Sequence, residues 1–304
     1  KCESMGQDIS AYLDGLLYAD YLTYWDYIQL DVLLSLQKPK TRIKDEEIFI
    51  MYHQITELYF KLSLHAIKQI TDEPFPSLKT FVTQITRVNS YFDVLIHSFE
   101  IMIDGMDKEQ FLNFRMSLLP ASGFQSAQYR MIEIYATDLQ NLVAKQYRSQ
   151  VKNLSLTEKY AYLYWKQGAT ELATNKKTLT LKQFEKKYSD EFIHLLRDCV
   201  HTNVWQKYLS LSANNQKDIT LIDALKKFDF NANVQWPLMH YKSAVRYLQK
   251  NPSDIAATGG TNWQQYLPPK NQSVIFYPTL WTTTELEEWG RKAQLALFKD
   301  MPRK

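Results

Sequence analysis

Glycine is nearly absent from this chain: eight occur in 304 residues, and that scarcity does most to limit the folds open to it. A phosphate-cradling α/β fold draws on glycine-rich turns and a β sandwich on many tight ones, so both are disfavoured. In their place the chain carries long blocks of apolar residues at three- and four-residue spacing, the pattern of helices with one buried face. The spacing predicts helices over about 8–37, 45–71, 77–104, 107–118, 124–149, 156–167, 183–211 and 218–227. Pro39 ends the first, and Asp45, Glu46 and Glu47 suit the N-terminus of the second. A further helix opens near Pro237 and runs to about Asn251, before Pro252. Thr284 and Glu287 have capping-box spacing for a last helix over 285–299. Residues 168–182 are polar and read as a surface excursion, and 253–280 as irregular with a short extended piece at SVIFY. With no internal repeat and no clean linker, the expectation is an all-α chain: one domain over 1–304 with a helical insertion at about 150–215.

Aromatic residues make up 14 % of the chain, a surplus that suits either a large core or a flat apolar ligand. The net charge is +3 and the basic residues form no stripe, so nucleic acid is not suggested as a partner. Cys2 and Cys199 offer no disulfide framework and no Cys-x-x-Cys pair, which fits a reducing compartment. No apolar run approaches the roughly 18 residues of a spanning helix. The chain begins at Lys1 rather than Met, so the reading of a soluble, cytoplasmic protein without membrane contact is made without its native N-terminus.

Four stretches carry chemistry. In IFIMYHQITELYFK (48–61), Phe49, His53, Thr56 and Phe60 share one helix face. Glu57 lies one turn from His53 and is expected to fix the imidazole tautomer. The histidine is either a core group paired with its own helix or part of a pocket wall. In FRMSLLPASGFQSAQYR (114–130), Arg115 sits in an apolar segment just before the small-residue turn Ala121, Ser122, Gly123. A guanidinium there needs an anion, from a structural Asp or Glu or from a ligand carboxylate. In WPLMHYKSAVRYL (236–248), His240 is a lone histidine among apolar neighbours, with no second metal ligand at i+3 or i+4. That makes a zinc or di-iron site unsuitable and leaves a core histidine or a haem ligand. In AATGGT (256–261), adjacent glycines mark either a simple turn or a close-approach loop, and Thr258 offers a hydroxyl. A fifth stretch, LTYWDYIQLDVLLSLQ (22–37), holds Tyr24, Tyr27 and Ile28 on a stripe that reads as packing or pocket.

In this order the stretches TYWDYIQLDVLLSLQ, DEEIFIMYHQITELYFK, FRMSLLPASGFQSAQYR, MHYKSAVRYL and ATGGT resemble the tryptophan 2,3-dioxygenase family over about residues 20–267. The resemblance implies a helical haem-binding dioxygenase fold, assembled as a homotetramer (a dimer of dimers), with one haem b per chain, ferrous when active. It implies insertion of both atoms of O2 across the indole C2–C3 bond of L-tryptophan to give N-formyl-L-kynurenine. His240 matches the axial iron ligand, and Ser122 and Gly123 match small residues at the haem edge. His53 matches the group that takes the indole N–H, Phe49 the aromatic beside the ring, Arg115 the carboxylate clamp and Thr258 an ammonium and carboxylate contact. Tyr24, Tyr27 and Ile28 match an N-terminal segment that reaches a neighbouring subunit's site. The chain departs from the family pattern at ATGGTNW, where GTGGS is common, and at Phe111, where some members carry tyrosine. A related haem monooxygenase acting on aromatic amino acids or indoles, and a non-catalytic haem or tryptophan sensor, are the competing readings.

Overall fold

The computed structural model describes residues 6, 8–18, 23–115, 123–167, 169, 176–248 and 268–299. Among them there is no strand, and Val143 and Leu163 form an isolated bridge, so the fold is all-α as the glycine scarcity suggests. The chain divides into two compact units, Lys1–Lys40 and Thr41–Lys304.

The first unit holds α1 (Ile9–Tyr18), α2 (Tyr24–Tyr27) and α3 (Leu30–Leu33). The single helix expected over 8–37 is therefore broken. Gln29 stands between α2 and α3 with φ of 53°, a left-handed conformation that no α-helix continues through. Neither α2 nor α3 buries a residue.

In the second unit α4 (Asp45–Thr71) matches its expected bounds. Asp45, Glu46 and Glu47 face the positive end of its dipole, and buried Glu46 accepts from the Thr41 backbone N–H at 2.7 Å and hydroxyl at 2.6 Å. α5 (Leu78–Ser98) starts at Ser77, whose side chain accepts from the Thr80 N–H at 3.1 Å. It is separated at Phe99 from α6 (Glu100–Ile103), so the helix expected over 77–104 is two pieces. α7 (Lys108–Phe114) and the 3-10 turn Gly123–Gln125 lead to α8 (Ala127–Ala136), capped by Ser126. α8 stops well short of residue 149, because Thr137 turns the backbone extended. Short helices follow: α9 (Leu139–Leu142), α10 (Leu156–Tyr160) and α11 (Tyr164–Gln167). Then come α12 (Leu179–Cys199), α13 (Val204–Leu209) and α14 (Ala213–Gln216). α15 (Ile219–Phe230) runs through a π-helical turn, Asn231–Gln235, into α16 (Trp236–Leu248). The last elements are α17 (Pro269–Gln272), α18 (Thr283–Glu287) and α19 (Arg291–Lys299). The terminal capping box is Thr282 with Glu285, not Thr284 with Glu287, and Gly290 at φ of 70° separates α18 from α19. The SVIFY stretch forms no strand. No helix of the described residues is long and apolar enough to cross a membrane.

The core sits where α4, α5, α8 and the α15–α16 pair meet. Phe60 marks it, 6.3 Å from Phe92, 5.3 Å from Tyr129 and 5.7 Å from Trp236 between ring centroids. Burying such aromatics contributes about 1.5–3 kcal/mol each. The π turn is held from both sides. Tyr129 donates its hydroxyl to the Ala232 carbonyl at 2.6 Å. Buried Asp229 accepts from the Phe276 and Tyr277 N–H groups, the Trp281 indole N–H and the Asn233 amide, at 2.9, 3.1, 2.9 and 2.8 Å. Desolvation pushes its pKa up to about 6 despite these donors.

Candidate active site

α4 contributes Phe49 and His53 from one face, with ring centroids 4.0 Å apart. The same face continues inward to buried Thr56 and Phe60. The His53 Nδ1 lies 2.7 Å from the Phe49 carbonyl oxygen. A carbonyl only accepts, so Nδ1 carries the proton and Nε2 keeps its lone pair. The expected tautomer partner, Glu57, is engaged elsewhere: its carboxylate and its backbone carbonyl each accept from the Gln128 amide at 2.8 Å. The backbone one turn back does the work assigned to Glu57, because in a helix that carbonyl is always within reach of a ring folded back along the axis.

α16 repeats the device. His240 Nδ1 lies 3.2 Å from the Trp236 carbonyl oxygen, which leaves Nε2 as an unprotonated donor atom. Desolvation lowers the pKa of His53 and takes that of His240 down to about 4; each therefore stays neutral near pH 7. Glu57 acts in the opposite direction on His53, while His53 itself and Arg130 lower His240 further. His240 thus feels the charge of His53. Both keep solvent-accessible surface although both are desolvated.

Aromatic rings join the two histidines. Tyr52 stands edge-on 5.8 Å from His53 and 5.6 Å from Phe99. Phe99, released by the break between α5 and α6, reaches His240 at 4.6 Å and Trp236 at 5.1 Å. α7 closes another side. Phe114 meets Phe49 edge-on at 5.7 Å, and Phe111 lies 4.5 Å from Tyr247 of α16. Arg115 follows Phe114 at the C-terminus of α7, buried, and desolvation lowers its pKa.

The structure therefore brings Phe49, His53 and His240 together, with the Arg115 backbone one residue from the Phe114–Phe49 contact. Tyr24, Tyr27 and Ile28 belong to the Lys1–Lys40 unit, where Tyr24 and Tyr27 are 70 % and 72 % exposed and Ile28 is also exposed. Gly123 opens its 3-10 turn, and Ser122 and Thr258 lie outside the described residues. Sequence reasoning missed Phe99, Trp236 and Tyr247. Only Trp236 left a signal, standing one helical turn before His240. It also missed a buried network on α8: Arg130 pairs with Glu133 at 3.1 Å and donates to the Tyr164 hydroxyl at 3.1 Å. Tyr164 in turn donates to Glu133, whose pKa burial raises to about 7.

His240 fits a haem iron. It offers one neutral imidazole Nε2, its other nitrogen tied to a backbone carbonyl as outer-shell partners of metal-bound histidines are, on an aromatic wall. Among the described residues no three His, Cys, Asp or Glu side chains gather into a metal-binding group.

Comparisons with known proteins converge on one family. The family model described as tryptophan 2,3-dioxygenase matches residues 16–282. A protein of Polaromonas sp. (strain JS666 / ATCC BAA-500) named tryptophan 2,3-dioxygenase is 26 % identical over 290 residues, covering 92 % of each chain. One of the same name from Bacillus cereus (strain ZK / E33L) is 29 % identical over 280 residues, 87 % of this chain and 92 % of its own. A third, from Anaeromyxobacter sp. (strain K), reaches 38 % over 128 residues, 40 % of this chain and 45 % of its own. A match running through nearly all of its helical body places the chain in the tryptophan 2,3-dioxygenase family.

Proposed function

We infer that the chain is an oxidoreductase that opens the indole ring of L-tryptophan, placing both atoms of O2 across the C2–C3 bond and releasing N-formyl-L-kynurenine, the first step of tryptophan catabolism by the kynurenine route. The observation that carries the reading is the pair of neutral imidazoles, His53 and His240, each with Nε2 unprotonated and joined through the rings of Tyr52 and Phe99. His240 would hold haem b through Nε2, and Ser122 and Gly123 would line its edge. When bound, the ferrous haem supplies the activation of O2.

The remaining work falls to the protein's own groups. L-Tryptophan is a zwitterion with a flat, electron-rich ring, so its site needs a cationic fork, a hydroxyl, an aromatic slot and an acceptor for the indole N–H. Arg115 supplies the fork for the carboxylate. Thr258 supplies the hydroxyl for the ammonium. Phe49 supplies the slot, with Tyr24, Tyr27 and Ile28 of a neighbouring chain closing it in a homotetramer built as a dimer of dimers. His53 Nε2 is the acceptor, and because its Nδ1 proton is committed to the Phe49 carbonyl it cannot present the wrong face. We assign His53 to orientation, which lowers the barrier by fixing the reacting geometry in a space that excludes water. The catalytic body spans residues 1–304 with the insertion at about 150–215, in the cytoplasm.

Anaerobic reduction of the haem-loaded protein, addition of L-tryptophan and then air, with the haem bands and product mass followed together, tests this. Ring-opened product with two added oxygen atoms is expected. One added oxygen with the ring intact would replace the reading with a monooxygenase. A haem spectrum that responds to tryptophan without product would make the protein a sensor.

A further inference from the structure

The π turn Asn231–Gln235 stands directly before the helix that carries His240. Around it Asp229, Asn231 and Asn233 are all buried, which is unfavourable unless each is hydrogen-bonded. All three are. Asn231 donates to Asp93 of α5 at 2.9 Å and accepts from Gln235 at 3.0 Å. Asn233 donates to Asp229, whose carboxylate also gathers the donors of the 276–281 segment. Pro237 explains why the helix widens here. In an uninterrupted α-helix its ring would clash with the Asn233 carbonyl. Instead the Trp236 N–H reaches five residues back to the Asn231 carbonyl. Pro237 has no N–H to continue that pattern, and the Ala232 carbonyl takes the Tyr129 hydroxyl.

The wider turn changes the direction in which His240 points. An α-helix advances about 100° per residue, so the twelve residues from Phe228 to His240 would carry the imidazole about 120° away from the Phe228 face. A π turn takes up one extra residue within its ring, which leaves a difference of about 20°. The ring contacts agree with the smaller angle. Phe228 meets Phe92 of α5 at 5.7 Å, Trp236 meets Phe60 of α4 at 5.7 Å, and His240 meets Phe99 at the end of α5 at 4.6 Å. All three rings therefore turn toward the α4–α5 pair.

We propose that this π turn is a register device for the iron ligand: by absorbing one residue it keeps His240 on the Phe228 face, and Asp229 is the positioning residue that holds it. The inference rests on the assignment of His240 to haem above and adds what orients that residue. Asp229 touches neither His240 nor a substrate group. It acts through the turn.

Resonance Raman on the ferrous haem-loaded protein reads the iron–histidine stretching band, and an absorption titration gives haem affinity beside it. Asp229→Asn keeps the side-chain shape but sets an amide N–H2 among donors, so the turn loses its hold. A weakened band is expected, with haem affinity down about 10–100-fold, as when an outer-shell partner of a metal ligand is removed. Deleting Ala232 together with Pro237→Ala in the same background leaves eleven residues between the two faces, which an ordinary α-helix carries through with His240 in place. Band and affinity should return. Lost stability alone is not repaired by a deletion, so recovery singles out register. Parent-like band and affinity in Asp229→Asn, or no recovery in the shortened chain, overturns the inference. Should Asp229→Asn lose its helical circular dichroism, the Ala232 deletion with Pro237→Ala in the otherwise unaltered chain decides alone: a retained band supports the device and a lost band overturns it. A parent without an iron–histidine band overturns the haem assignment of His240 and the inference with it. A parent that shows the band leaves that assignment standing whichever way the variants fall.

Discussion

The helices α4 and α16 hold their histidines in the same way and surround them differently. On α4, His53 leans on the Phe49 carbonyl at 2.7 Å and has Glu57 nearby, whose charge favours protonation. On α16, His240 leans on the Trp236 carbonyl at 3.2 Å, and the charges it feels, His53 and Arg130, both oppose protonation. One helical device therefore yields two chemical characters. The α16 ring stays unprotonated far into the acid range. The α4 ring is neutral too, and Glu57 restores part of its basicity. A shared tautomer says what each ring can do, and the surrounding charge says which of them does it.

That contrast can be broken most severely at His240. His240→Ala should lose haem altogether, a larger loss than the roughly 10–100-fold that removal of an outer-shell partner brings; a haem titration reading the intense blue absorption band measures it, and normal haem uptake would make His240 a core residue. Next is the α4–α7 side. Arg115→Ala should weaken L-tryptophan binding by about 2–5 kcal/mol with haem content intact, and equal affinity for L-tryptophan and its uncharged analogue indole propionamide in the parent would remove the carboxylate role.

The pH response of the haem-free protein probes both walls together. Folding lowers the pKa of His240 from 6.5 to about 4 and that of His53 in the same direction. Across that window the unfolded chain holds more protons than the folded one, so stability is complete above it and falls as pH drops through it. Urea unfolding at the two ends should differ by on the order of 2 kcal/mol from this source, and His240→Gln should flatten the slope; an unaltered slope would place the titration elsewhere. His53→Ala should reduce turnover by about 1–2 kcal/mol without abolishing it. Full activity there would end its role as acceptor. The smallest effect belongs to Glu57→Gln, which should lower the acid limb of the activity profile by less than about one pH unit. A shift to higher pH would mean that Glu57 acts through Gln128 and not through its charge.

Much of the α4 wall was legible in the chain. Three acids at its start, an unbroken apolar period and the one-face spacing of Phe49, His53 and Phe60 are local facts, and α4 keeps its expected bounds. The start of α16 was legible for the same reason, since Pro237 suits a first turn. What escaped depends on partners distant in sequence. The π turn before α16 exists because Tyr129 and the 276–281 segment satisfy it, and no periodicity announces them. Phe99 joins the site from the junction of α5 and α6, which a count of apolar residues reads straight through. Glu57 was given the wrong task because i, i+4 spacing names a neighbour without saying who else competes for it, here Gln128. The N-terminal block failed at Thr23, which is extended, and at Gln29, which is left-handed, where propensity gives no warning.

The carboxylate of Asp229 bears on the order in which this molecule can be completed. Its four donors include groups at Phe276, Tyr277 and Trp281, all made later by the ribosome than the helix that carries His240. Until those residues emerge, a charge destined for full burial has only Asn233 to satisfy it, and the turn that aims α16 is held from the Tyr129 side alone. Synthesis from the N-terminus therefore builds the α4 wall early and sets the α16 wall last. A chain released before residue 281 would possess every side chain of the α16 wall and still present it unset.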